Sequence, residues 1–79
     1  MRLFGYEHTD PLPENIVPSA LAEITLVASA AELRAMAQFL ADCADEMDRM
    51  GSKFDHVHLG DRIKAFRTSP HFVVARCNS

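Results

Sequence analysis

Seventy-nine residues, 48 % of them apolar and with a formal charge of −3, make one small domain over 1–79 that buries only about 60 to 65 % of its unfolded surface, so a partner chain would add to its stability. The acidic balance excludes a general nucleic-acid surface, which needs a basic stripe, and no stretch reaches the roughly 20 apolar residues of a membrane span. The start, MRLFGYEHTD, turns acidic and polar too early for a signal peptide, so the chain reads as cytoplasmic with Cys43 and Cys77 as reduced thiols.

RLFGYE, residues 2–7, carries three large apolar side chains and predicts a short strand. Residues 11–19 come next, with Pro11, Pro13 and Pro18. Proline removes backbone donors and restrains the residue before it, so this is an extended connector. AEITLVA, residues 22–28, alternates: Ile24, Leu26 and Ala28 point one way and Glu23, Thr25 and Val27 the other, as in a half-buried strand.

Ser29-Ala30-Ala31-Glu32 is a capping box, in which the serine hydroxyl accepts from the Glu32 amide and the glutamate reaches back to the Ser29 amide. Residues 30–50 hold neither glycine nor proline. At about 100° per residue, Leu33, Met36, Ala37, Phe39, Leu40, Cys43, Ala44, Met47 and Met50 share one broad stripe, and Arg34, Gln38, Asp42, Asp45 and Arg49 lie opposite. Gly51 stands where a left-handed terminating residue is wanted. The spacing predicts a helix of about 20 residues packed along its apolar side, with Cys43 a buried, inert thiol.

Residues 52–70 read as an irregular connector in which GDRIKAF makes a helical turn or two, Ile63 and Phe66 pointing inward. Ser69-Pro70 punctuates, and HFVVARC, residues 71–77, reads as a final strand. The order β-β-α-β predicts an α+β domain, a three-stranded sheet with one long helix on one face. If the last two strands pair in parallel, the helix is the right-handed crossover between them. The other sheet face, with Phe4, Tyr6, Thr25 and Val27, is then bare and fits a second copy or another protein.

His56-Val57-His58 is the first candidate for chemistry. In an extended segment both imidazoles point the same way, and Asp55 or Asp61 can add an oxygen, so His56, His58 and Asp61 are candidate metal ligands. HxH is a short motif, however, and polar contacts or partner contacts explain it as well. Asp42, Asp45, Glu46 and Asp48 are the second candidate. They crowd the C-terminal half of the helix, where the macrodipole prefers cations, and such a face suits a basic partner. The bland alternative is a solvated face with Lys53 or Arg62 folded over it. Ser69, His71 and Asp61 lack a nucleophile elbow, and the three scattered glycines make no phosphate loop. The chain is therefore expected to be no enzyme and to need no cofactor.

The stretch LAEITLVASAAELRAMAQFLADCADEM, with FDHVHLGDR and a terminal FVV strand after it, resembles the bacterial immunity protein 32 family over about residues 20–76. The helix part, ELRAMAQFLADCADEM, is the specific portion. The positions that match the recurrent pattern are His56, His58 and Asp61, with Cys43, Asp45 and Glu46 on the helix. The resemblance implies a small cytosolic protein that binds a cognate protein toxin and blocks it, and it brings no catalytic residues. On this reading Asp42, Asp45, Glu46, Asp48, His56, His58 and Asp61 contact the partner. A small metal-binding protein and a structural homodimer through the uncovered sheet face are the alternatives.

Overall fold

The computed structural model describes residues 1–7 and 20–77; the expected connector over 11–19 lies outside them, as does His8. Strands β1 (Arg2–Glu7) and β2 (Leu21–Val27) pair antiparallel. Leu3 faces Leu26 and Gly5 faces Ile24, whereas Phe4 faces Thr25, Tyr6 faces Glu23 and Arg2 faces Val27. The two side-chain sets therefore fall on opposite faces of a two-stranded ribbon, as the period of two requires. Arg2 lies over the Phe4 ring, 5.8 Å from its centroid.

Helix α1 runs from Ala30 to Met50 and begins with the expected capping box. The Glu32 amide donates to Ser29 Oγ at 3.1 Å, and the Ser29 amide donates to Glu32 Oε1 at 2.9 Å. Two of the otherwise orphaned amides of the first turn are thereby satisfied. Gly51 ends the helix at φ 57° and ψ −128°, its amide donating to the Met47 carbonyl. The φ is positive as expected, but the ψ lies outside the left-handed helical well, in a region essentially confined to glycine.

The segment read as an irregular connector is more ordered than expected. A 3-10 turn at Gly51–Lys53 leads to strand β3 (His56–His58) and a one-turn helix α2 (Leu59–Arg62). A second 3-10 turn at Lys64–Phe66 then precedes strand β4 (Val73–Ala75). β4 pairs antiparallel with β3, setting Val57 opposite Val74. The expected three-stranded sheet is corrected here: two separate two-stranded sheets form, β1–β2 and β3–β4. The reason is local. β3 brings an antiparallel partner to the last strand across residues 59–72, a shorter closure than a parallel crossover from β2 over the helix and so one of lower entropic cost.

The core is built from one side of α1 and from the elements C-terminal to it. Met36, Phe39 and Cys43 on α1 are buried against Phe54, Leu59 and Phe66. Val57 and Val74 pack onto this cluster from β3 and β4, with Ile63 and Phe72 beside them. The broad apolar stripe is only partly covered: Leu33, Ala37, Leu40, Ala44 and Met50 remain exposed. The expectation of a helix packed along its whole apolar side is corrected accordingly, because the sheet under α1 is two strands wide rather than three.

The hairpin is more open still. Every described side chain of β2 is exposed, Ile24 at 58 % among them, and so are Phe4 and Tyr6 on β1. Met1 ties it to the body, its side chain packing on the core cluster. The Met1 ammonium donates to Glu32 Oε2 at 2.6 Å and to Ser69 Oγ at 3.0 Å.

Candidate functional site

Asp42 and Asp45, three residues apart, share the polar face of α1; Glu46 stands one turn after Asp42 and Asp48 one turn after Asp45, so all four lie in its last three turns. Their partners differ. Asp42 accepts from Gln38 Nε2 at 2.9 Å, one helical turn away. Glu46 is held in a two-toothed ion pair by Arg62, whose Nη1 and Nη2 donate to its carboxylate at 2.7 and 2.8 Å. This fork geometry is the strong form of a carboxylate pair. The hydrogen bonds from Arg62 hold the Glu46 carboxyl below the usual carboxylate range, and the same bonds raise Arg62. Asp45 and Asp48 are exposed and make no ion pair among the described residues. Arg49, one turn after Asp45, makes no ion pair with it. Arg62 does fold over the acidic face, as the solvated-face alternative expected, but it takes only Glu46. The face that remains is a concave patch lined by Asp42, Asp45 and Glu46 with Arg49 and Arg62.

The histidines are placed by the strand β3. Val57 turns into the core, so the period of two sends His56 and His58 together to the outer face. Their ring centroids lie 5.4 Å apart, edge to face. His56 Nδ1 lies 2.6 Å from Asp55 Oδ2, an exposed contact with its own neighbour. His71 joins the row, its ring 5.6 Å from that of His58 and nearly perpendicular to it. Sequence reasoning did not group His71 with the pair. The antiparallel register supplies the missing link: His58 stands opposite Val73, and His71 lies two residues before Val73 on the same side of the chain. His58 and Asp61 line an open concavity with Gly60, Arg67, Ser69 and His71. A Cβ on Gly60 would come within 3.3 Å of the Phe66 carbonyl oxygen, so a small residue keeps this turn tight. Among the described residues, no group of three His, Cys, Asp or Glu side chains is placed to hold a metal ion.

Asp42, Asp45 and Glu46 line one concavity on the outer face of α1, and His58 and Asp61 line another beside β3 and α2, while Asp48 and His56 line neither. Asp61 and Arg62, consecutive in α2, link them: Arg62 reaches to the helix acids and Asp61 lines the histidine side. Cys43, one of the matched positions, belongs to neither. It is buried at 1 % exposure, and burial pushes its thiol pKa up, with Glu46 adding to the effect. A protonated buried thiol packs as a small apolar group and is a poor nucleophile.

No helix of the described residues is long and apolar enough to cross a membrane. No curated protein and no solved structure matches the chain. The family model described as immunity protein 32 matches residues 23–77, a span that holds α1, both candidate concavities and every buried core residue, and the chain belongs to the immunity protein 32 family.

Proposed function

We propose that this chain is an immunity protein that neutralises a cognate protein toxin by direct contact and performs no catalysis of its own. The observation that carries the reading is Asp45, an exposed carboxylate with no ion pair among the described residues, set beside exposed Asp42 in the half of the helix where the macrodipole disfavours both. A local rule broken without local gain marks a surface kept for another molecule. Asp42 and the rim of the Glu46–Arg62 pair complete an acidic patch that suits a basic toxin surface and speeds its capture. His56, His58 and Asp61 form the adjoining edge of the contact, and the Arg62 bridge holds that edge in a fixed place relative to α1.

The test co-expresses the chain with each effector domain encoded beside its gene and measures survival and complex formation. Survival with the wild-type chain, and its loss with Asp42→Lys, Asp45→Lys, is the expected result. Protection that persists in the double charge-reversal variant overturns the acidic patch as the contact. Protection without a complex overturns direct neutralisation.

A further inference from the structure

We infer that the exposed stripe of α1 is the contact surface of an antiparallel homodimer, helix against helix. The stripe consists of Leu33, Ala37, Leu40 and Ala44, and Leu33 and Leu40 are 47 % and 45 % exposed. Their spacing of four, three and four residues continues to Met47 and averages 3.5, the repeat of a helix that packs on another helix. The stripe is centred about 100° round the helix from Met36, Phe39 and Cys43, so the chain's own core leaves it uncovered. Large and small side chains alternate along the stripe, which lets a second helix approach closely while Leu40 and Met47 of one copy cover Ala44 and Ala37 of the other.

The charges beside the stripe identify the occupant. Arg34, Ala41 and Asp48 form the row along its open edge, spaced seven residues apart. Arg34 and Asp48 are both exposed, and neither makes an ion pair among the described residues. When two copies pair antiparallel with Leu40 against Ala44 of the second copy, Ala37 lies against Met47 of the second copy. The edge row then runs beside its own reverse. Ala41 meets Ala41 across the two-fold axis, and Arg34 meets Asp48 of the second copy, twice. A parallel pair places the two edge rows on opposite sides of the seam, so neither Arg34 nor Asp48 meets an opposite charge of the other row. The stripe is therefore complementary to a second copy of itself in one direction only. The dimer uses Asp48 and leaves Asp42 and Asp45 free, so it does not depend on the toxin reading.

The experiment is sedimentation velocity on the full chain over a concentration series, with circular dichroism on each variant. The wild type is expected to move from 8.8 kDa towards twice that mass as concentration rises. Arg34→Glu replaces two attractions with two repulsions and is expected to raise the dimer dissociation constant roughly tenfold or more. Asp48→Arg is expected to do the same, and the double variant Arg34→Glu, Asp48→Arg to restore the wild-type constant. Residues 34 and 48 stand about 21 Å apart along one helix, so the rescue cannot arise within one chain. Each single change also puts the sign that the macrodipole favours at its end of the helix, so neither is expected to weaken the monomer. Leu40→Lys is expected to abolish the dimer with the helical signal intact. A wild type that stays at 8.8 kDa throughout, or a double variant as weak as the single ones, overturns the proposal.

Discussion

The hairpin β1–β2 and the body formed by residues 30–77 are built from similar apolar material but treat it differently. The body encloses Met36, Phe39, Cys43, Phe54, Leu59 and Phe66. The hairpin has Leu21, Ile24, Leu26, Val27, Phe4 and Tyr6, and all six are exposed. The difference is one of layers rather than of composition. α1 is amphipathic and finds a second layer in β3–β4, so its inner face leaves water. A two-stranded ribbon has no second layer, and by itself such a ribbon is marginal at best. Burial at the usual ~25 cal/mol per Å² stabilises only the apolar area that something covers. The stability of this molecule therefore resides in the body, and its uncovered apolar surface lies on the hairpin and on the outer stripe of α1.

Substitutions that probe each region break or sharpen this contrast. Leu59 is fully buried, and Leu59→Ala is expected to cost about 2 to 5 kcal/mol, enough to unfold much of a domain this size at room temperature; urea titration monitored by circular dichroism checks it. Ser29→Ala removes the cap at the junction of the two regions and is expected to cost about 1 kcal/mol, seen as a lower urea midpoint with an unchanged slope.

Acid is the next smaller lever. The Met1 ammonium, then the Ser29 amide, hold the Glu32 carboxyl below its ordinary range, as Arg62 does for Glu46. A carboxyl depressed in the folded state stabilises above its unfolded value of about 4.3, and that contribution fades as pH falls through this range towards the folded value. The melting temperature is therefore expected to hold between neutrality and pH 5 and to drop below about pH 4. Glu46→Gln should flatten part of the drop, and added salt should flatten more of it, since both carboxyls are only half-buried. The smallest effect is expected in the hairpin: Ile24→Ala, at 58 % exposure, should change monomer stability by no more than about 0.5 kcal/mol. A cost there as large as that of Leu59→Ala would mean that the hairpin is covered and the contrast is false.

Legibility from sequence tracks the range of the interactions. The capping box, the span of α1 and the strands β1 and β2 are readable because each depends on neighbours within four residues or on unbroken alternation. The pairing of β3 with β4 is not. Three residues, HVH, are too few to show a period, and the partner that makes them a strand lies 17 residues further on. That one omission explains the misjudged sheet, the missing His71 and the overestimated cover on α1. The acidic face is readable as a cluster, but its division is not, because the Arg62 fork that removes Glu46 from it spans 16 residues. Hydrophobic periodicity marks which side chains share a face, and it is silent on whether that face is covered by the same chain or by another.

Hydrogen exchange read residue by residue, at low protein concentration, tests the division between hairpin and body most directly. The amides of Phe39 to Met47 and of Leu59 should exchange only through global unfolding, while those of Ala22 to Val27 exchange much faster through local opening of the hairpin. Equal protection of the hairpin and the body in the dilute chain would contradict that division.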